Sequence, residues 1–232
     1  MELDPKFEEL ACLIADKTSG CLASIHIDAS GLIRLGDDNG ERIENFNKLI
    51  LRIESLGGKV MIPTFSYSYP KDEQFNMLET PSDVGIVTEY IRKRNPLKRT
   101  ADGMFSYLLF NNDPESQYFD VVDYEIFGKD SLIAELFNAN GYICCVGNVF
   151  HNTPTEVHFM EQLLDVPYRF NKNMSGEFVD HNNKLHQQNL LFYCRDLETD
   201  LYPDMTSLEA DLRSENLFEY WQVEGLDFQI EA

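Results

Sequence analysis

Thr155, His158 and Glu161 recur at intervals of three, with Gln162 beside them, so on a helix they share one face. An imidazole can take a proton from an amine near neutral pH, and a neighbouring carboxylate can fix its tautomer. That combination suits general-base catalysis. A surface histidine beside a glutamate has the same spacing and, on spacing alone, is the commoner arrangement. Pro154 holds the entry extended and Thr155 is placed as an N-cap. Val157, Met160, Leu163 and Leu164 follow at helical spacing, which predicts that their face packs inward. The preceding apolar run, Tyr142 to Gly147, reads as a buried strand. A first helical turn just past a strand's carboxyl end is where open α/β sheets bind ligands.

The elements that must position this stretch can be read along the chain. Pro5 to Asp16 predicts an amphipathic helix, and Cys21 to Ile27 a first strand. Phe46, Leu49, Ile50 and Ile53 form a helical stripe stopped by Gly57–Gly58, and Lys59 to Phe65 is a second strand. Together these make one β-α-β unit. A polar and aromatic loop, Tyr67 to Glu79, precedes a helix that Ser82 would cap and that runs to about Arg94. Tyr107 to Phe110 predicts a short strand, and Ser131 caps a helix through Phe137. Strands are expected at 166–170 and 190–195, around a polar, Asn-rich insertion at 180–188. A late helix carries Leu208, Leu212 and Leu217, and a final strand is expected near 221–230. The expected fold class is α/β: a single domain over residues 1–232, with a mixed central sheet and helices on both faces.

Composition narrows the function. With 43% hydrophobic and 25% charged residues the chain is globular. A net charge of -21 argues against nucleic acid or an anionic membrane as partner and fits a cationic ligand, as it also fits simple solubility. No run is long enough to span a bilayer, and the acidic start does not resemble a signal peptide. Cys12, Cys21, Cys144, Cys145 and Cys194 are odd in number and contain no C-x-x-C pair, so neither a disulfide framework nor a thiolate zinc site is indicated. A reduced, cytoplasmic protein is expected. His151, His158 and Glu161 lack zinc-ligand spacing, so no metal is expected. His181 and His186 are read as solvated.

Thr-x-x-His-x-x-Glu on a strand-turn-helix resembles the signature of the aminoglycoside 3-N-acetyltransferase family, which moves acetyl from acetyl-CoA to a sugar amine. Five further stretches resemble the family's motifs in order. Ile25–His26–Ile27–Asp28 is similar to "VHSDL", and Met61 to Ser68 to a strand end "MPTFT". Pro81 to Glu89 is similar to the helix start "PS-x-x-G-x-L-T-E". Arg99–Thr100 with Phe105–Ser106 resembles "RS-x-H-P-x-x-S", and Phe127 to Ser131 resembles "FG-x-x-S". The resemblance covers about residues 22 to 230 and implies the family's α/β fold, not the GNAT fold.

The resemblance implies that His158 is the general base, with Glu161 either orienting it or holding a cationic substrate. It places Asp28, Thr155 and Glu161 on the substrate and His26 near the acyl donor, although a buried, satisfied histidine explains His26 nearly as well. Thr64, Ser66, Thr100 and Ser106 are expected to donate hydrogen bonds to the pantetheine or the oxyanion. Arg92–Lys93–Arg94 and Lys98–Arg99 put five of the 19 basic residues into eight positions. Of these, Arg92 to Arg94 also suit a helix C-terminus, and Arg99 is the expected contact for a CoA phosphate. Ser66, Ser106 or a cysteine could act as an acylated nucleophile, but no G-x-S-x-G or Cys-His signature accompanies them, which favours direct transfer.

Three departures bear on the acceptor. Asp102–Gly103 stands where the family has His-Pro, Ile27 stands where it has serine, and Asn152–Thr153–Pro154 does not keep the spacing of the drug-modifying enzymes. Val166 to Lys172, followed by Ser175–Gly176, looks more like members acting in carbohydrate biosynthesis. The expected activity is N-acetylation of an amino sugar, with a polysaccharide precursor favoured over an aminoglycoside. A non-catalytic carbohydrate- or partner-binding module is the reading of another class. Homo-oligomerisation is left open by the sequence.

Overall fold

Three parallel strands lie at the centre of the main sheet: β1 (Leu22–Ile27), flanked by β2 (Lys59–Pro63) and β6 (Tyr142–Val146). Outside β2, β4 (Tyr107–Phe110) pairs antiparallel. On the other edge β10 (Ile230–Glu231) and β9 (Tyr220–Trp221) also add antiparallel. The order β4-β2-β1-β6-β10-β9 is the mixed α/β sheet that the sequence predicts. The computed structural model describes residues 3–111, 116–146, 154–223 and 230–231.

Side chains alternate across the strands with period two and so divide between two cores. Ala23, Ile25, Val60, Ile62, Leu108, Phe110, Cys144 and Val146 pack with α1 (Pro5–Lys17), α3 (Asn39–Ser55) and α4 (Ile86–Arg94). Leu22, Met61, Tyr107 and Leu109 face the opposite way, onto α5 (Leu132–Asn138) and a second sheet. Helices therefore cover both faces. The Ser131 hydroxyl caps α5 as expected, accepting from Ala134 N at 3.1 Å. Ser82 does not cap α4, which begins four residues later, after Gly85. Its amide donates to Glu89 and the Asp83 amide to Phe65 O, which holds this stretch outside the helix.

The second sheet is the main addition to the expected architecture. The sequence predicts two short strands around a polar insertion; instead β7 (Arg169–Val179) and β8 (Leu185–Arg195) form one hairpin paired along 11 residues each. Asp180 closes its turn, its Oδ1 accepting from the amides of Asn182 and Lys184. The hairpin's polar residues disguise it because only one face is buried. Phe178, Leu190 and Tyr193 enter the core, and the buried Gln188 among them binds Ala101 O, Val122 O, Tyr69 Oη and Gly103 N. Two short strands, β3 (Phe75–Asn76) and β5 (Tyr124–Glu125), flank the hairpin in parallel. Gly103 and Gly176 both press against the Tyr69 ring, where any Cβ would collide with it.

Arg99 ties β2, β4 and the intervening loop together from inside. It is fully buried. Nη2 donates to Thr64 O at 2.8 Å, Nη1 to Thr80 O at 2.6 Å and Nε to Ser106 Oγ at 2.9 Å. The guanidinium also lies over the Phe75 ring, 4.6 Å from its centroid. Burial pulls Arg99 down to about 9, so it stays protonated at neutral pH. Thr64 Oγ1 donates to Ser106 O and Ser106 Oγ to Thr64 O, which prolongs the β2–β4 pairing past the strand ends. Leaving a buried polar group without its partner costs about 1–3 kcal/mol. Arg99→Met orphans several carbonyls at once. It is expected to destabilise the protein by at least ~3 kcal/mol in a urea melt, while calorimetry finds acetyl-CoA affinity unchanged in the folded fraction.

Candidate functional site

The candidate site is built on α6 (Val157–Leu163), which Glu156 fixes to the sheet. The Glu156 side chain has no exposed surface. Its carboxylate accepts from Ser24 Oγ, lies 3.0 and 3.1 Å from His26 Nε2, and receives the Tyr107 hydroxyl at 3.4 Å. Ser24 and His26 come from β1 and Tyr107 from β4, so one carboxylate joins the first turn of α6 to two strands. Burial pushes the Glu156 carboxyl up, but His26 and Ser24 more than offset this and hold it below the ordinary glutamate range. His26 is thus a buried, satisfied histidine.

That anchor turns α6 over relative to the expected orientation. Val157, Met160, Leu163 and Leu164 were expected to face the core, yet Leu163 and Leu164 are 67% and 69% exposed and Met160 is also outside. The inward residue of the helix is Glu161. Nor does Thr155 cap the helix: it lies in the turn before it, its carbonyl accepting from His158 N at 3.0 Å. Helical periodicity identified the two faces, but the face that turns inward is the one fixed by Glu156 and its three donors and not the one carrying the leucines.

His158 and Glu161 meet directly, with Nδ1 2.5 Å from Oε2, the orienting one of the two roles the sequence left open for Glu161. Tyr168 Oη donates to the other carboxylate oxygen at 2.9 Å. Arg169, at the start of β7, places Nη2 2.9 Å from Nδ1 and 3.3 Å from Nε2 of the same imidazole. Its Nη1 is fixed to Tyr193 O at 3.0 Å, and its Nε lies 2.7 Å from Glu161 Oε2 without being aligned to donate to it. Phe127 packs edge-on against the imidazole, ring centroids 5.4 Å apart. Burial raises the Glu161 carboxyl, yet its bonds from His158 and Tyr168 and the nearby guanidinium leave it below the usual range. Burial and the same carboxylate push the Tyr168 hydroxyl up to about 12. The His158 side chain remains 24% exposed.

Thr64, Ser66, Arg99, Thr100 and Ser106 make their hydrogen bonds with other groups than this pair. Thr64, Ser66, Thr100 and Ser106 are buried: Thr64 and Ser106 bond each other, Ser66 bonds Ser68, and Thr100 Oγ1 accepts from Tyr107 N. Their hydroxyls thus serve the protein interior. Arg99 belongs to the same internal frame. The rest of the basic cluster is neutralised locally: Arg92 and Lys93 pair with Glu89, Arg94 with Glu44 and Lys98 with Glu54. Asp28 Oδ1 accepts from Gly31 N at 2.8 Å, at the carboxyl end of β1. Asp102 is buried beside a cavity of about 270 Å³ that Phe105, Tyr107, Tyr118 and Tyr124 also line. The amides of Met104 and Phe105 and the Tyr124 hydroxyl hold its carboxylate, so Asp102 shapes a loop. His181 is exposed, whereas His186 is half-buried against Asp180. His151 lies outside the described residues. Among the described residues no group of three or more His, Cys, Asp or Glu side chains could hold a metal ion.

Sequence reasoning missed Glu156, Tyr168 and Arg169. Glu156 sits off the His158 face, and only a tertiary partner could single it out. Tyr168 and Arg169 were visible in Val166–Pro167–Tyr168–Arg169, but as strand residues without an assigned target.

A sequence model of the aminoglycoside 3-N-acetyltransferase family matches residues 49–229. No curated protein sequence matches the chain. Solved structures with the same fold include AAC-IIIb in a binary complex with CoASH, at TM-score 0.69 and 15% identity, with 97% of this chain and 90% of that chain covered. YokD from Bacillus subtilis matches at TM-score 0.65 and 15% identity, covering 97% and 87%. AAC-VIa bound to sisomicin matches at TM-score 0.65 and 15% identity, covering 97% and 91%.

The Glu156 anchor has a defined pH signature. Its folded pKa is depressed, so its stabilisation is complete above the unfolded glutamate value and disappears as pH falls through the folded one. Glu156→Ala is expected to cost about 3–5 kcal/mol at pH 7, the usual result of breaking a buried pair. In urea melts the gap between wild type and Glu156→Ala should narrow as pH drops below about 4. A gap constant from pH 7 to pH 3 contradicts this account.

Proposed function

The chain belongs to the aminoglycoside 3-N-acetyltransferase family, and is an acyltransferase by that membership; we propose that it moves acetyl from acetyl-CoA to a primary amine of an amino sugar. Residues 1–232 act as a single acetyltransferase domain, and the transfer is direct. The observation that carries this reading is the His158–Glu161 pair, a partly exposed imidazole on a buried carboxylate that Tyr168 supports from behind.

Glu161 holds the proton on Nδ1, which leaves the Nε2 lone pair to remove a proton from the acceptor's ammonium. The neutral amine then attacks the thioester carbonyl carbon. As the tetrahedral intermediate collapses the carbon–sulfur bond breaks; the departing thiolate takes the proton from the imidazolium, and the second proton that the attacking nitrogen sheds to become an amide leaves through the freed imidazole to solvent. Asp28 and Thr155, both partly exposed near the carboxyl ends of the parallel strands, are assigned with Glu161 to the acceptor.

A polysaccharide precursor is favoured over an aminoglycoside. Arg169 sets a fixed cation beside the base, and a polycationic drug would have to approach that charge. A nucleotide-linked amino sugar carries one amine and compensating phosphates. Five free cysteines fit a reducing, cytoplasmic setting, and no helix among the described residues is long and apolar enough to cross a membrane.

His158→Ala is expected to slow acetyl-CoA-dependent thiol release by about 100-fold or more, the usual worth of a general base, while acetyl-CoA still binds by calorimetry. Near-normal turnover in that variant removes His158 from the mechanism. Thiol release measured with nucleotide-linked amino sugars and with free aminoglycosides identifies the acceptor; higher kcat/KM on the aminoglycosides overturns the substrate preference.

A further inference from the structure

The cavity of about 270 Å³ beside Asp102 lies between β4, β5 and α5, and neither His158 nor Glu161 lines it. The Phe127 ring stands between the two places. Its centroid is 5.3 Å from that of Phe105, a wall of the cavity, and 5.4 Å from that of the imidazole. The volume is just below the ~300 Å³ at which small-molecule pockets begin. Four aromatic rings, those of Phe105, Tyr107, Tyr118 and Tyr124, line it. Two of the hydroxyls serve the protein, Tyr107 bonding Glu156 and Tyr124 bonding Asp102. What these residues offer a ligand is their rings, and aromatic rings attract cations.

Charge selects the ligand. Asp102 is only 3% exposed and belongs to the lining. Its Oδ1 accepts two amides and its Oδ2 one hydroxyl, so a lone pair remains on Oδ2. Arg99, whose charge acts on this carboxylate, gives its own hydrogens to Thr64, Thr80 and Ser106. Burial pushes the Asp102 carboxyl up in spite of these neighbours, as it does for a buried charge without a counter-ion. Asp120, Asp123 and Asp130 are exposed parts of the same lining, which contains no Lys, Arg or His among the described residues. Lys129 lies 3.4 Å from Asp130 at the surface. Such a wall repels the phosphates of an acyl donor and suits a cation. We propose that this cavity is a second binding site, apart from the acetyl transfer, for a small organic ammonium ion whose nitrogen meets Asp102 and whose hydrocarbon part lies among the four rings.

The test titrates isoamylammonium and its uncharged counterpart, isoamyl alcohol, into the full chain carrying 13C-labelled tyrosine rings. Loss of signals in Tyr118→Phe assigns the reporter ring. The ammonium is expected to shift the Tyr118 signals and to bind at least ~10-fold more tightly than the alcohol. Asp102→Asn keeps an oxygen for the two amides but removes the charge, and is expected to weaken the ammonium by at least ~10-fold with the alcohol unchanged. Val122→Lys brings a competing cation to an exposed position of the lining, where folding is not at stake, and is expected to abolish the shift. No shift of Tyr118, equal binding of the two compounds, or undiminished binding in either variant overturns the proposal. The readout is independent of turnover at His158.

Discussion

Glu156 enters a core that offers it no water, and it is tolerable there because Ser24, His26 and Tyr107 surround its carboxylate with donors. The geometry of the site follows from that contact. α6 is only seven residues long, too short to hold its own conformation in isolation. Tied at its first turn to β1 and β4, it cannot rotate to bury its leucines. His158, two residues on, is delivered to the rim and Glu161 to the interior.

The second constraint comes from the hairpin. β7 and β8 are held against the core by Phe178, Leu190 and Tyr193 and by the four-way bonding of Gln188. Their open end brings Arg169 over His158, next to Tyr168. The imidazole is therefore gripped from two elements whose positions are set independently, one by an ionic anchor in the main sheet and one by packing of the second. Preorganisation of this kind lets a base act without reorganising at the moment of proton transfer.

Polar residues that resemble binding groups can instead be the frame. Arg99, Thr64 and Ser106 lie where the family motifs run, yet their hydrogen bonds close on one another and on main-chain carbonyls. Asp102 behaves alike, with its carboxylate engaged by two amides and Tyr124. A motif keeps its residues for folding as readily as for chemistry, and burial with satisfied partners is the physical sign of the former.

The sequence by itself determined the parallel strands, the helices around them and the placing of His158 and Glu161 on one helical face, one turn apart; that the two side chains touch is decided by their rotamers in the fold. Period-two and period-3.6 patterns and i,i+3 proximity are local, and local geometry is carried by the order of residues alone. It also determined the family, through motifs kept in order. Only the tertiary structure decided which face of α6 points inward, because that depends on Glu156 finding donors 130 and 132 positions away. The hairpin was hidden for a related reason: its inward Gln188 reads as polar until Ala101, Val122, Tyr69 and Gly103 are known to satisfy it. Arg99 carries the same charge in the sequence whether it meets a phosphate or a ring of carbonyls. Its surroundings, and not its type, gave it the second task.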